Sequence, residues 1–120
     1  MADIVGRTIR VSVILKKDAN HRVDTEFLKE GEDFTKEHHS RSVLGTAMAS
    51  PSVLDMAGIT TGKSLLLTTD RSIKVGVNSS TNLITLADNG MMALKGDFTA
   101  IYVQNTDANY EATIEFVITD

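Results

Sequence analysis

The sequence predicts an all-β fold, an antiparallel β-sandwich or jelly roll, on three observations. Six candidate strands follow one another at a spacing of about 8–12 residues in the second half, joined by Gly-, Asn- and Asp-rich turns. A seventh, near the N-terminus, alternates between apolar and polar positions with one exception. The single proline, Pro51, lies outside every candidate strand, as ladder hydrogen bonding requires.

The N-terminal strand covers residues 8–16, where Ile9, Val11, Val13 and Leu15 alternate with Arg10, Ser12 and Lys16. Ile14 breaks the polar side and implies cover from a neighbour. Lys17-Asp18-Ala19-Asn20 reads as the turn that ends it. Residues 21–41 differ in kind: ten of the 21 are charged, and Val23, Phe27, Leu28 and Phe34 are the only large apolar ones. Neither strand nor helix periodicity persists there. The expectation is a long polar loop or extended arm, with room for one short strand and pinned at intervals by Phe27 and Phe34, and long loops of this sort are often functional. Residues 41–49 fit strand and coil equally. Ser50-Pro51 then looks like a helix start, with Ser50 as N-cap, Pro51 in the first turn and Gly58 as the stop, which predicts one short helix.

From Lys63 onward the strands are regular. They cover residues 64–69, 72–77, 82–87, 91–95, 98–104 and 111–119, with Ile73, Val75 and Val77 on one face and Ile114, Phe116 and Ile118 inward. Asp88-Asn89-Gly90 predicts a tight hairpin, because Asn-Gly supplies the positive φ angles of such a turn. Gly96-Asp97 predicts a second two-residue turn. The final strand is expected to pair inside a sheet. Met91-Met92-Ala93-Leu94 puts apolar residues on both faces of its strand, which calls for cover from the protein's own loops or from a partner.

At 120 residues and 13.0 kDa the chain fits a single domain. Cysteine is absent, which excludes disulfides and Cys-based zinc sites. The start, Met1-Ala2-Asp3-Ile4, lacks the basic and apolar segments of a secretory signal. No apolar run approaches the ~20 residues that span a bilayer. A cytoplasmic origin without membrane attachment is the expectation. The net charge of −4, with cations scattered among acids, argues against nucleic acid as a partner. Aromatic content of 5% disfavours a sugar-binding pocket built on flat rings.

Several local patterns suggest chemistry and have plainer explanations. Thr61-Gly62-Lys63-Ser64 resembles the end of a phosphate loop, but Ala57 stands where the first glycine is needed and a strand follows where a helix should open. Asn105-Thr106-Asp107-Ala108-Asn109 begins like a calcium loop, yet Tyr110 and Phe116 occupy its glycine and glutamate positions, and turn chemistry accounts for the same residues. His38 and His39 are adjacent, so on an extended chain they point to opposite sides and cannot share an ion. Asn78-Ser79-Ser80 matches a glycosylation sequon and reads as a turn. Asp24 and Glu26 would share a strand face, but in so charged a segment they read as solvated. No nucleophile elbow is present. The sequence therefore points to a non-enzymatic protein with no catalytic residue, cofactor or metal. The candidate partner-contact residues are Arg22, Phe27, Lys29, Phe34, Lys36, His38 and Arg41.

Residues 65–120, a little under half the chain, resemble small virion proteins of tailed bacteriophages. The features are a strand ending in Thr69-Asp70, an Ile-Lys-Val-x-Val-Asn strand at 73–78, and a Leu-Lys-Gly-Asp-Phe-Thr step at 94–99. A Val-Gln-Asn strand end at 103–105 and the C-terminal Thr-Ile-Glu-Phe-Val-Ile strand at 113–118 complete the set. The resemblance implies a structural component of the particle. A capsid decoration or cement protein is favoured, contacting the major capsid protein or other virion proteins and acting as a homo-oligomer. A tail, fibre or head–tail junction component is the alternative. A carbohydrate- or ligand-binding sandwich is the alternative from another class.

Overall fold

The computed structural model describes residues 6–18, 21–33 and 36–120. The chain divides into two compact units, Met1–Phe34 and Thr35–Asp120. The first contains a two-stranded antiparallel ribbon of β1 (Gly6–Asp18) and β2 (His21–Asp33). The second contains eight strands: β3 (Glu37–Leu44), β4 (Ser52–Val53), β5 (Gly62–Thr69), β6 (Ile73–Val77), β7 (Ile84–Leu86), β8 (Met91–Phe98), β9 (Ile101–Gln104) and β10 (Ala112–Thr119).

These eight strands form two four-stranded antiparallel sheets, ordered β3-β10-β5-β8 and β4-β9-β6-β7. Apart from the β6–β7 step, every consecutive pair crosses from one sheet to the other. Two sheets of four strands, linked by a chain that crosses between them at nearly every step, are the jelly-roll arrangement. The predicted fold class holds. The last strand lies where its sequence suggested, in the interior of a sheet between β3 and β5.

Both sheets contribute alternate residues to one core. Leu65 and Leu67 of β5 and Ile114, Phe116 and Ile118 of β10 come from the first. Ile73 and Val75 of β6 and Ile101 and Val103 of β9 come from the second. Phe98, at the end of β8, is fully buried. It explains Gly62: a Cβ there would sit 2.3 Å from the Phe98 ring, so the glycine of the phosphate-loop-like tetrapeptide makes room for an aromatic side chain. Lys63 of the same tetrapeptide donates to Asp97 Oδ1 at 2.6 Å.

The structure corrects four expectations. Within the polar loop expected over residues 21–41, the described residues 21–33 and 37–41 are instead strand: β2 pairs with β1 along its length, and β3 pairs with β10. Its charges hid the period because both strands carry polar residues at most positions. The short helix after Ser50-Pro51 does not form. Ser52 and Val53 pair with Val103 and Tyr102, and Leu54 N–H donates to Ile101 C=O at 2.8 Å. Leu54 and Met56 are buried at the two-residue spacing of a strand rather than the three- or four-residue spacing of a helix. A single turn then closes through Ala57 and Gly58, both at positive φ. Asp88-Asn89-Gly90 does turn, with Asn89 at φ 56° and Gly90 N–H donating to Ala87 C=O. It joins β7 to β8 across the two sheets, however, and is not a hairpin. Gly96-Asp97 is not a turn. It lies inside β8, where the register shift between Gly62 and Ser64 on β5 marks a bulge, a usual reason for glycine within a strand.

Candidate interaction surfaces

The outward face of the β3-β10-β5-β8 sheet is the best-defined surface of the second unit. Register aligns His39, Val117, Leu66 and Ala93 in one row across the sheet, and Arg41, Glu115, Thr68 and Met91 in the next. Val117, Leu66, Ala93 and Met91 make a continuous apolar strip, with Leu66 36% and Met91 49% exposed. The Met91-Met92 pair thus resolves into two roles. Met92 packs against the core, whereas Met91 stays open. Charged and hydroxyl residues rim the strip. His39 Nε2 lies 2.7 Å from Glu115 Oε1, a contact between half-exposed groups that contributes little to stability.

At one end of this face the strands and the β5–β6 and β7–β8 connections enclose an open groove of about 580 Å³, lined by Arg41, Val43, Thr68, Asp70, Asn89 and Glu115 among others. Asp70 holds the groove's shape. Its Oδ1 accepts from Thr113 N–H at 2.7 Å, its N–H donates to Thr113 C=O, and its C=O accepts from Asn89 N–H. The lining offers a guanidinium, two carboxylates and several hydroxyls. Beside it, Arg71 lies 4.2 Å from the centre of the exposed Tyr110 ring, a cation–π contact.

A third region is the loop end where residues 45–48 meet 105–110. Asn105 is fully buried; its Nδ2 donates to Gly45 C=O and Tyr110 C=O, and its Oδ1 accepts from Asp107 N–H. Asp107 Oδ1 in turn accepts from the N–H groups of Asn109 and Tyr110. The oxygens that resembled a calcium loop are therefore engaged in holding the turn. Asn78 behaves in the same way, adopting φ 55° and accepting at Oδ1 from the N–H groups of Thr99 and Ala100. Among the described residues, no three His, Asp or Glu side chains are grouped as for a metal ion.

The candidate contact residues are dispersed. Arg22, Phe27 and Lys29 lie on β2, in register with Lys16, Val11 and Ile9 of β1. Phe34 lies outside the described residues. Lys36 is tied to the C-terminus: its N–H donates to Asp120 Oδ1, its C=O accepts from Asp120 N–H, and its Nζ reaches Gly58 C=O. His38 packs edge-on to Phe116, with ring centres 5.7 Å apart, while its neighbour His39 faces outward as the alternation of a strand demands. Arg41 stands on the outer face opposite Glu115. The apolar strip containing Leu66 was missed from sequence. Its signal was the unbroken run Leu65-Leu66-Leu67, which leaves one leucine on the far side of any strand.

Comparison with known protein families, with curated proteins and with solved structures found no match to the chain.

Proposed function

We propose that this chain is a non-enzymatic structural component of a bacteriophage particle, a capsid decoration protein that reinforces the shell through surface contacts with the major capsid protein. The observation that carries the reading is the pairing of two unlike units in one short chain. One is a jelly roll, an architecture used in viral coats and also in lectins. The other is a ribbon of two 13-residue strands that forms no larger sheet of its own among the described residues. A self-sufficient β module joined to a long, charged, two-stranded arm suits attachment to an extended lattice, where many weak contacts add up to firm binding. The virion-like sequence features at 65–120 point the same way. Because fold alone does not fix function, the particle assignment rests on both.

The test is to mix the purified protein with undecorated phage capsids and count bound copies. Hundreds of copies per particle, matching lattice positions, is the expected result. A dozen or fewer would favour a tail or junction role. Deleting residues 22–36 is expected to abolish binding while leaving the sandwich folded, and normal binding by that variant would refute the arm's part. The open groove beside Arg41, Asp70 and Glu115 favours one second reading, a ligand-binding sandwich. Saturable binding of a small polar ligand, lost on Arg41→Ala, together with indifference to capsids, would establish it.

A further inference from the structure

We propose that the β1–β2 ribbon is a self-association element in which the outer edge of β1 pairs with the outer edge of β2 from a second copy of this chain. The inference stands apart from the particle reading, and the purified chain alone tests it.

Among the described residues each ribbon strand is hydrogen-bonded only to the other, which leaves one edge of each without a paired strand. An open edge is a row of backbone donors and acceptors that templates further pairing. Natural edges are commonly blunted by shortness, proline, a bulge near the middle or charge, and of these only charge is prominent here. Here both strands run 13 residues, contain no proline, and keep continuous register from Ile9–Lys29 to Lys16–Arg22. A two-stranded ribbon is at best marginal alone in water. The register also sets Val11 against Phe27 and Leu15 against Val23, two cross-strand apolar pairs.

Charge selects which edge meets which. β1 carries Arg7, Arg10, Lys16 and Lys17 against Asp18, a net of +3. β2 carries Asp24, Glu26, Glu30, Glu32 and Asp33 against Arg22 and Lys29, a net of −3. Pairing β1 with β1 of a second copy, or β2 with β2, would set like charges on strands about 4.8 Å apart. Pairing β1 with β2 of a second copy sets opposite charges together and keeps every neighbour antiparallel, because the strand directions continue to alternate. The complementary arrangement attracts, and the two self-pairings are repelled by the same charges. Since the joined edges differ, the contact is head-to-tail. It yields assemblies of three copies or more rather than a two-fold dimer.

The test compares the full chain with a charge-reversed chain, in which Arg7, Arg10, Lys16 and Lys17 are each changed to Glu, and Glu26, Glu30, Glu32 and Asp33 are each changed to Lys. Reversal on both strands keeps opposite charges within each ribbon, so the hairpin itself is not disfavoured. Each chain alone is expected to form the same oligomer by native mass spectrometry. Co-expressed with distinguishable masses, the two are expected to segregate, with mixed oligomers at least tenfold below the statistical proportion. Free mixing would overturn the proposal. So would a monomer or a two-fold dimer of the natural chain, or a reversed chain that stays monomeric with its sandwich folded. The natural chain provides a second measurement that needs no variant. Its oligomer should dissociate at higher protein concentration as salt is added, because screening weakens edge charges, and no response to salt would also refute it.

Discussion

Asn105 offers the sharpest test of how the sandwich is held together. Its side chain is fully buried and makes three hydrogen bonds that join the loop after β3 to the loop after β9. Replacement by alanine removes all three and leaves two carbonyls and one N–H without that partner. At about 1 kcal/mol net for each bond, the loss comes to about 3 kcal/mol, and more where water cannot reach the orphaned groups. For a unit of this size that corresponds to a fall in Tm of about 12–24 °C. Asn105→Asp separates hydrogen bonding from packing, because it keeps the shape and the acceptor to Asp107 N–H but loses both donors. The new carboxylate would face the carbonyls of Gly45 and Tyr110 in a buried site, which disfavours its charged form and raises its folded-state pKa above the unfolded value. Its deficit relative to the natural protein is therefore full at neutral pH. It shrinks as pH falls through the raised pKa, because the protonated acid can donate one bond. Thermal unfolding by circular dichroism at several pH values reads both effects. A loss below about 1 kcal/mol for the alanine variant, or a pH-independent deficit for the aspartate, would refute the account of Asn105 as a loop tie.

Three further variants probe other parts of the same frame. Gly62→Ala would push a methyl group into the Phe98 ring and is expected to cost about 1–3 kcal/mol in urea unfolding, as overpacking does. Combining it with Phe98→Leu should recover part of that loss. Asn78→Ala loses both the tolerance for φ 55° and the bonds to Thr99 and Ala100, for a cost of about 2 kcal/mol, whereas Asn78→Gly restores only the backbone share. Glu115→Gln weakens the half-exposed contact with His39 and should change stability by less than about 1 kcal/mol, as a chemical-denaturation midpoint will show.

The legibility of this fold in its sequence followed the burial of its strands. β5, β6 and β10 each have one buried face, and Ile73–Val75 and Ile114–Phe116–Ile118 spell that face out at every second position. Edge strands were harder. β3 buries only Leu44 outright, so Glu37 to Ser42 showed no apolar period. β4 is two residues long, and its neighbours Leu54 and Met56 were as compatible with a helical turn until pairing with β9 decided the matter. Turn residues, Gly96-Asp97 excepted, marked changes of direction but not what they connected. Asp88-Asn89-Gly90 looks the same whether the chain returns beside itself or crosses to the facing sheet, and only the pairing of β7 with β6 and of β8 with β5 distinguishes the two. Gly62 makes room for a ring on the neighbouring strand and Gly96 sits at a bulge of its own strand, and no local pattern contains either. Of the candidate contact residues, His38 was separable from His39 by alternation alone. That Lys36 is tied to Asp120 depends on residues at opposite ends of the second unit's sequence.

The two units differ in how completely they satisfy themselves, and that difference bears on how the protein would assemble. In the sandwich, both sheets bury their inner faces, and the long turns are closed by Asn78, Asn105 and Asp107 acting on backbone N–H and C=O groups. Such a unit closes a core from its own strands. In the ribbon, strands of opposite net charge pair with each other and, among the described residues, leave two edges without a paired strand, and two strands alone do not complete a core. Assembly and ribbon stability are then linked quantities, since a partner that binds only the formed ribbon stabilises it by mass action. Limited proteolysis across a dilution series makes the linkage measurable. Cleavage within residues 6–33 should accelerate as the oligomer dissociates, while residues 37–119 stay protected at every concentration, because opening there is governed by the sandwich's own unfolding. Equal protection of both segments at all concentrations would mean that the ribbon draws its stability from within its own chain, and the case for edge-to-edge assembly would fall with it.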